Sequence, residues 1–295
     1  MKTLVYFCHG APQYFEEARF SILSSLYLQG GERPTYQIVV YTDDKSAFID
    51  LDVTIVEVND STLTSWMGES DYIHRMKIMT VIDALERYPG AVAYIDVDSY
   101  FIRSPERLFD RIGPGRTCLH LLEGRLLETR TLINQSLSDL IRNNQFHDSG
   151  GNPLKISPDT RMWNSGVIGI HSDDIGFLRE ALNLSDQMWP HALPYESGRK
   201  PHTIEQLVVG YFFERSRLQS THDLIYHYWP DYLRLPFAKR VGHLVASRDG
   251  VPVLELARAA YSRRPRADFP HKIRMQVRGT LRAVGVRISG IYCSA

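Results

Sequence analysis

Cysteine is nearly absent: Cys8, Cys118 and Cys293 are the three in 295 residues. An odd number at such wide spacing offers neither a disulfide framework nor a zinc pattern, and the expectation is a protein of the reducing cytoplasm. Long apolar runs are missing as well. No stretch approaches the ~18 residues that a membrane-spanning helix needs. Met1-Lys2-Thr3 passes straight into Leu4-Val5-Tyr6-Phe7-Cys8, without the apolar region and small-residue cleavage site of a secretory signal. No G-x-G-x-x-G follows that first apolar run and no G-x-x-x-x-G-K-[ST] occurs, which disfavours a dinucleotide fingerprint and a P-loop. Net charge is absent too, with 34 Lys and Arg against 34 Asp and Glu, but the balance is uneven. After Ala257, nine basic residues face one acid, Asp268, so that segment carries +8 (9 − 1) and the remainder −8.

What is present is the composition of a soluble globular chain, 43% apolar and 23% charged, long enough to bury a substantial core. Apolar runs at Leu4–Cys8, Ile38–Tyr41, Val53–Val58 and Ala91–Ile95 read as buried strands, with helical periodicity over Tyr14–Gln29 and over Asp71–Tyr88. The alternation predicts an α/β fold with a doubly wound mixed sheet flanked by helices. We place one domain over residues 1–250 and a basic helical tail over 251–295. Further strands are expected at Tyr100–Ile102, Thr117–Leu122, Val167–His171 and Leu224–Trp229, and further helices near 131–143, 173–183 and 203–213. The polar stretch 123–160 reads as an insertion over the site, where an acceptor would be chosen.

In such sheets ligands gather at the carboxyl ends of the strands, and three groups lie there: Cys8-His9-Gly10, Thr42-Asp43 and Asp96-Val97-Asp98. On an extended chain, Asp96 and Asp98 point the same way, roughly 6.5 Å apart. Two like charges on one face call for a divalent cation; the alternative is that Asp98 caps the next turn and Asp96 is solvated. Arg75 and Lys77 either form a solvated helix face or reach an anionic ligand near the helix start. Asn164-Ser165-Gly166 reads as a turn at the entrance of a strand. Thr203 reads as an N-cap with Glu205 and Gln206 in the first turn, where a carboxylate also complements the helix dipole. His227 interrupts an apolar strand and is either a stacked structural histidine or a ligand. Arg234, Lys239, Arg240 and His243 form a basic loop able to face phosphate.

Four blocks then carry a resemblance: Lys77-Ile78 running into Tyr94-Ile95-Asp96-Val97-Asp98-Ser99-Tyr100, Trp163-Asn164-Ser165-Gly166-Val167, Glu205-Gln206, and Ile225-Tyr226-His227-Tyr228. In this order they resemble the GT-A nucleotide-sugar glycosyltransferases, closest to the glycogenin and lipopolysaccharide galactosyltransferase group, over roughly residues 3–245. The resemblance implies a GT-A-like fold in which Asp96, Asp98 and His227 hold Mn2+ or Mg2+, with His222 or His243 as alternatives to His227. It implies that Cys8, His9, Gly10 and Asp43 surround the base and ribose, with Val97 also in the donor-binding set. Asn164, Glu205 and Gln206 would touch the donor sugar, and Lys77 or Arg75 a phosphate or the sugar. Two departures stand out. Glu205-Gln206 replaces the family's Asp-Gln, and the lysine that follows the family's histidine is missing, leaving Arg234 or Lys239 to clamp the diphosphate.

The implied activity is a metal-dependent hexosyltransferase that moves a sugar from a nucleotide-diphosphate sugar, expected to be UDP-linked, to a glycan or lipid-linked acceptor with retention of configuration. A sugar nucleotidyltransferase is the alternative enzyme, but it calls for a Gly-rich basic loop where this chain has His9-Gly10-Ala11-Pro12-Gln13. A non-catalytic nucleotide- or carbohydrate-binding protein is the third reading. In the tail, Ile273, Val277, Leu281, Val284 and Ile288 form a stripe at helical spacing among basic residues. That predicts either a helix on an anionic membrane surface, which would make the protein peripheral on the inner face of the cell membrane, or a helix packed on the domain. Nucleic acid is not expected, because interleaved aromatics for stacking are absent.

Overall fold

The computed structural model describes residues 1–264 except 31, 70, 129–130, 195–197, 199, 230–233, 235–240 and 247–250. The apolar stripe from Ile273 to Ile288, and Lys239 and Arg240 of the basic loop, lie outside the described residues. A seven-stranded mixed sheet is built from β1 (Lys2–Cys8), β2 (Gln37–Thr42), β3 (Thr54–Glu57), β4 (Ala91–Ile95), β6 (Arg116–Arg125), β7 (Arg161–His171) and β8 (Arg217–Ser220), in the order β3-β2-β1-β4-β7-β6-β8. The first four strands in that order run parallel, β7 runs against both β4 and β6, and β8 is parallel to β6. A separate two-stranded antiparallel sheet joins β5 (Ser99–Phe101) to β9 (Ile225–His227).

The strands read as continuous apolar runs because both faces of the sheet are covered. Successive side chains of β1 alternate between two cores: Leu4, Tyr6 and Cys8 enter one, and Val5 enters the other. β2 and β4 split the same way, with Ile38, Val40, Ala93 and Ile95 in the first core and Val39, Tyr41, Val92 and Tyr94 in the second. The first core is closed by α1 (Pro12–Leu28), the short α4 (Glu106–Phe109) and α8 (Val253–Ser262), and the second by α3 (Arg75–Arg87), α6 (Ile175–His191) and α7 (Ile204–Phe213). The doubly wound expectation is therefore met, and no helix among the described residues is long and apolar enough to cross a membrane.

Several local expectations change. Asn164-Ser165-Gly166 is no turn: β7 starts at Arg161, and its first half is held as strand by pairing with β6, Leu121 opposite Asn164 and Leu122 opposite Trp163. A helix that periodicity did not reveal, α2 (Asp60–Met67), is started by Asn59, whose Oδ1 accepts the Thr62 amide at 2.9 Å. Thr203 makes no side-chain cap for α7; the Tyr72 hydroxyl accepts the Glu205 amide at 3.0 Å instead and donates to the His202 carbonyl. In the stretch read as an insertion, residues 123–125 extend β6, and α5 (Leu132–Asn143) buries Leu137, Leu140 and Ile141 in the second core.

The described part of the segment read as a tail contains α8. α8 packs on α1, with Tyr261 stacked on Tyr27 at 4.6 Å and Leu256, Ala257 and Ala260 buried. Leu256 is 4% exposed, so Leu256→Ala should cost about 2–5 kcal/mol through lost burial and the cavity left behind. Urea unfolding of the two proteins measures this directly, and an unchanged midpoint would show that α8 is not part of the cooperative core.

Candidate functional site

The carboxyl end of β4 is where the main sheet and the small sheet meet. The ladder with β7 continues one step past Ile95, the Asp96 amide donating to the Gly166 carbonyl at 2.9 Å. The chain then bends through Val97 and Asp98, the Ser99 hydroxyl donating to the Asp96 carbonyl at 2.6 Å. β5 begins at once and pairs Ser99 with His227, while the Tyr228 amide donates to the Asp98 carbonyl. A three-residue strand pair thus brings a histidine from the far end of the chain beside the two aspartates. His227 Nε2 lies 3.1 Å from Asp98 Oδ1 and 3.9 Å from Asp96 Oδ2. One ligand atom from each of the three residues falls within 4.8 Å of the others, and this is the metal-type cluster found among the described residues. His222, an alternative third ligand, is exposed and turns its Nδ1 to the Ser220 hydroxyl. His243 is exposed and likewise outside the cluster.

The ring of His227 has a closely fitted seat. Gly166 faces it from β7, and a Cβ there would lie 2.4 Å from Nδ1 and 2.5 Å from Cε1. His120 of β6 meets the ring edge-on at 5.3 Å, and burial pushes the His120 imidazole down to about 3. Asn164, 2% exposed, places its Oδ1 3.0 Å from His227 Nδ1. The same Oδ1 accepts the Gly166 amide at 2.9 Å, and Nδ2 donates to Glu123 Oε1 at 3.0 Å.

Cations flank the acids. Lys77 of α3 donates from Nζ to Asp96 Oδ2 at 2.9 Å and stands 3.8 Å from Glu205 Oε2. Burial works against its ammonium, yet Asp96 and Glu205 lift its pKa above the ordinary lysine value. Arg234 pairs through Nε with Glu17 Oε1 at 3.0 Å and through Nη1 with Asp98 Oδ2 at 3.6 Å. Burial opposes the Asp98 carboxylate, but His227 and Arg234 outweigh it and hold the carboxyl down at about 2. For His227 burial again works against charge, and Asp98 overrides it, raising the imidazole pKa. Glu205, 2% exposed, is pushed up to about 7 by burial, with Lys77 opposing. Its Oε2 accepts the Ser165 hydroxyl at 2.9 Å, and its Oε1 is buried without a hydrogen-bond partner.

Four acids (Glu17, Asp96, Asp98, Glu205) thus face two permanent cations, Lys77 and Arg234, with Glu205 shifted toward its neutral form and His227 toward its charged one. Two carboxylate oxygens and one imidazole nitrogen suit Mn2+ or Mg2+, so the residues present fit the implied ion.

The other expected residues are placed as follows. Gly10, at φ +86°, donates its amide to Asp43 Oδ2 at 3.0 Å, tying the ends of β1 and β2 together. His9 lies half-buried against Phe7. The Cys8 side chain is 3% exposed in the core, and burial pushes its thiol up to about 12. The Arg75 guanidinium donates to Asp186 at 2.7 Å and to the Trp66 carbonyl. Val97 is partly buried against the first core, and Gln206 begins α7 beside Glu205 with its Oε1 buried and unpartnered. Glu17, Glu123, Tyr72 and His120 are constituents that the sequence reading missed. Glu17 meets Arg234 across 217 positions, a separation over which no spacing rule operates.

No family model matches this sequence, and no curated protein does. Solved structures do match. The chain is similar to mouse xyloside xylosyltransferase 1 in its apo form, at 12% identity and a TM-score of 0.45, covering 75% of this chain and 85% of that one. It is also similar to the galactosyltransferase LgtC in complex with donor and acceptor sugar analogs, at 12% identity and a TM-score of 0.48, covering 93% of this chain and 99% of that one. At that identity neither likeness assigns a role to a residue here.

The seat at Gly166 makes a separable prediction. Gly166→Ala should destabilise by about 1–3 kcal/mol as the new methyl forces the ring aside, and most of that cost should vanish when His227 is already Ala. A double-mutant cycle by urea unfolding reads the coupling; equal costs in both backgrounds would mean that the ring does not rest on Gly166.

Proposed function

We propose that the chain is a metal-dependent glycosyltransferase that takes a nucleotide-diphosphate sugar, UDP-linked, and passes the sugar to a glycan or lipid-linked acceptor. The observation that carries this reading is the convergence of Asp96, Asp98 and His227 at the carboxyl end of β4, with Lys77 and Arg234 at its sides. Asp96, Asp98 and His227 would hold Mn2+ or Mg2+. When bound, the ion would neutralise charge on the diphosphate as it departs.

In this reading Arg234 stands in for the family's missing lysine. Its Nη1 lies beside Asp98 at 3.6 Å while Glu17 fixes the opposite edge of the guanidinium, an arrangement suited to a phosphate oxygen. The His9-Gly10 backbone and Asp43 would face the base and ribose. Gln206 and Glu205 would meet the donor sugar, whose hydroxyls are natural partners for two buried acceptor oxygens that lack one. Retention is the stereochemistry proposed. Glu205 is 2% exposed and held by Ser165 near Lys77, a poor position for a base that must take a proton from an acceptor arriving through solvent. A nucleotidyltransferase is disfavoured, because the loop after β1 carries Gly10-Ala11-Pro12 and no basic side chain.

Calorimetric titration with UDP tests the donor site. Binding should require Mn2+, and Asp98→Ala should weaken it at least about tenfold, or ~1.4 kcal/mol. UDP binding that is indifferent to Mn2+, or to Asp98→Ala, would remove the assignment.

The location proposed is cytoplasmic, on the inner face of the membrane. Arg274, Arg278 and Arg282 lie in the basic stripe, and at about 1 kcal/mol per basic residue near an anionic surface, changing all three to Gln should cut vesicle binding on the order of 100-fold. Co-sedimentation of the full chain with phosphatidylserine vesicles decides it, with equal binding of both proteins counting against a membrane role.

A further inference from the structure

We propose that Asn164 is a positioning residue that fixes the proton of His227 on Nδ1 and so leaves Nε2 for the cation. The inference rests on the metal reading above and deepens it, since the resemblance gives this asparagine to the donor sugar instead.

The orientation of the Asn164 amide is decided by its neighbours. A backbone N–H can only donate, and that of Gly166 points at Oδ1 from 2.9 Å. Glu123, its pKa raised by burial, accepts through Oε1 at 3.0 Å from Nδ2. The oxygen of the amide is therefore the atom that faces His227 Nδ1, at 3.0 Å. An amide oxygen has no proton to give, so Nδ1 must carry one.

In a neutral imidazole that leaves Nε2 with a lone pair, and which nitrogen is left free is set by the hydrogen bond that the other makes. Nε2 looks onto Asp98 Oδ1 at 3.1 Å and Asp96 Oδ2 at 3.9 Å. With Nε2 unprotonated, three acceptor atoms converge there, an arrangement that a cation relieves as a proton shared with Asp98 would. Asn164 itself is poorly placed for a sugar: it is 2% exposed in β7, and both lone pairs of its oxygen are engaged, one by Gly166 and one by His227. The ring has little freedom to escape this control, because Gly166 and His120 confine it from two sides.

Two measurements on the full chain test the proposal. Long-range nitrogen–proton NMR of the metal-free protein, in alkaline buffer where the ring is neutral, should show His227 protonated at Nδ1. Asn164→Leu, which removes the acceptor, should shift the proton to Nε2, whereas Asn164→Asp, which keeps one, should not. Mn2+ affinity, read from the electron paramagnetic resonance of the free ion, should fall about 10–100-fold in Asn164→Leu and stay within a few fold of wild type in Asn164→Asp. A wild-type ring protonated at Nε2 overturns the proposal whether or not the variants fold, and so does unchanged Mn2+ affinity in Asn164→Leu. Protonation at Nδ1 in a wild-type chain that binds no Mn2+ supports the role of Asn164 and overturns the metal reading beneath it.

Discussion

Packing like charges into a small, half-dry volume is the constraint on which the rest of this molecule depends. Asp96 and Asp98 sit at the end of a strand buried from Val92 to Ile95, with a 4%-exposed imidazole against them. In such surroundings charges interact far more strongly than in water, and an uncompensated carboxylate is costly. Among the described residues, the two cations flanking the cluster are each shared between acids. Lys77 stands between Asp96 and Glu205, and Arg234 between Asp98 and Glu17. Neither is a simple pair; each ties an acid of the central cluster to one on a helix, α7 for Lys77 and α1 for Arg234. The cluster therefore joins the two faces of the sheet, since α1 closes one core and α7 the other.

The reversed strand makes this geometry possible. Because β7 runs against β4, Gly166 lies beside Asp96 and the side chains of Asn164 and Ser165 fall on opposite faces of the sheet. Asn164 reaches His227, and Ser165 reaches Glu205. One tripeptide thereby sets two different acid–base partners of the cluster, and the glycine after it supplies the space the imidazole needs. A turn at these positions, as the sequence pattern suggested, could not have held three neighbours to such fixed directions.

How much of this was legible in the sequence depends on the range over which each signal acts. The strands of the main sheet were readable because each is a local apolar run, and the doubly wound arrangement followed from their alternation with helices. Asp96 and Asp98 were readable for the same reason, as two charges at the end of one such run. Asn164-Ser165-Gly166 was misread because its composition is that of a turn, while its strand conformation is imposed by β6, a partner some forty positions away. Thr203 was a sound local guess for a cap, displaced by Tyr72, which lies 133 positions from the amide it receives. Sequence does not report which side of a strand end or helix start a side chain takes, so neither the burial of Cys8 nor the pairing of Arg75 with Asp186 was legible in it.

Glu17 and Glu123 show the other side of that limit. In the sequence one lies within a helical stretch and the other opens a polar one, and nothing local marks either. What gives them consequence is the partner alone: Glu17 anchors the guanidinium beside Asp98, and Glu123 determines which end of an amide faces an imidazole. Neither hydrogen-bonds nor ion-pairs with the two aspartates, yet both bear on the charge and geometry that the aspartates experience. A site of this kind is specified in two tiers. Its ligating atoms are written as short motifs, whereas the groups that aim them are distributed along the chain and become visible only when the topology has brought them together.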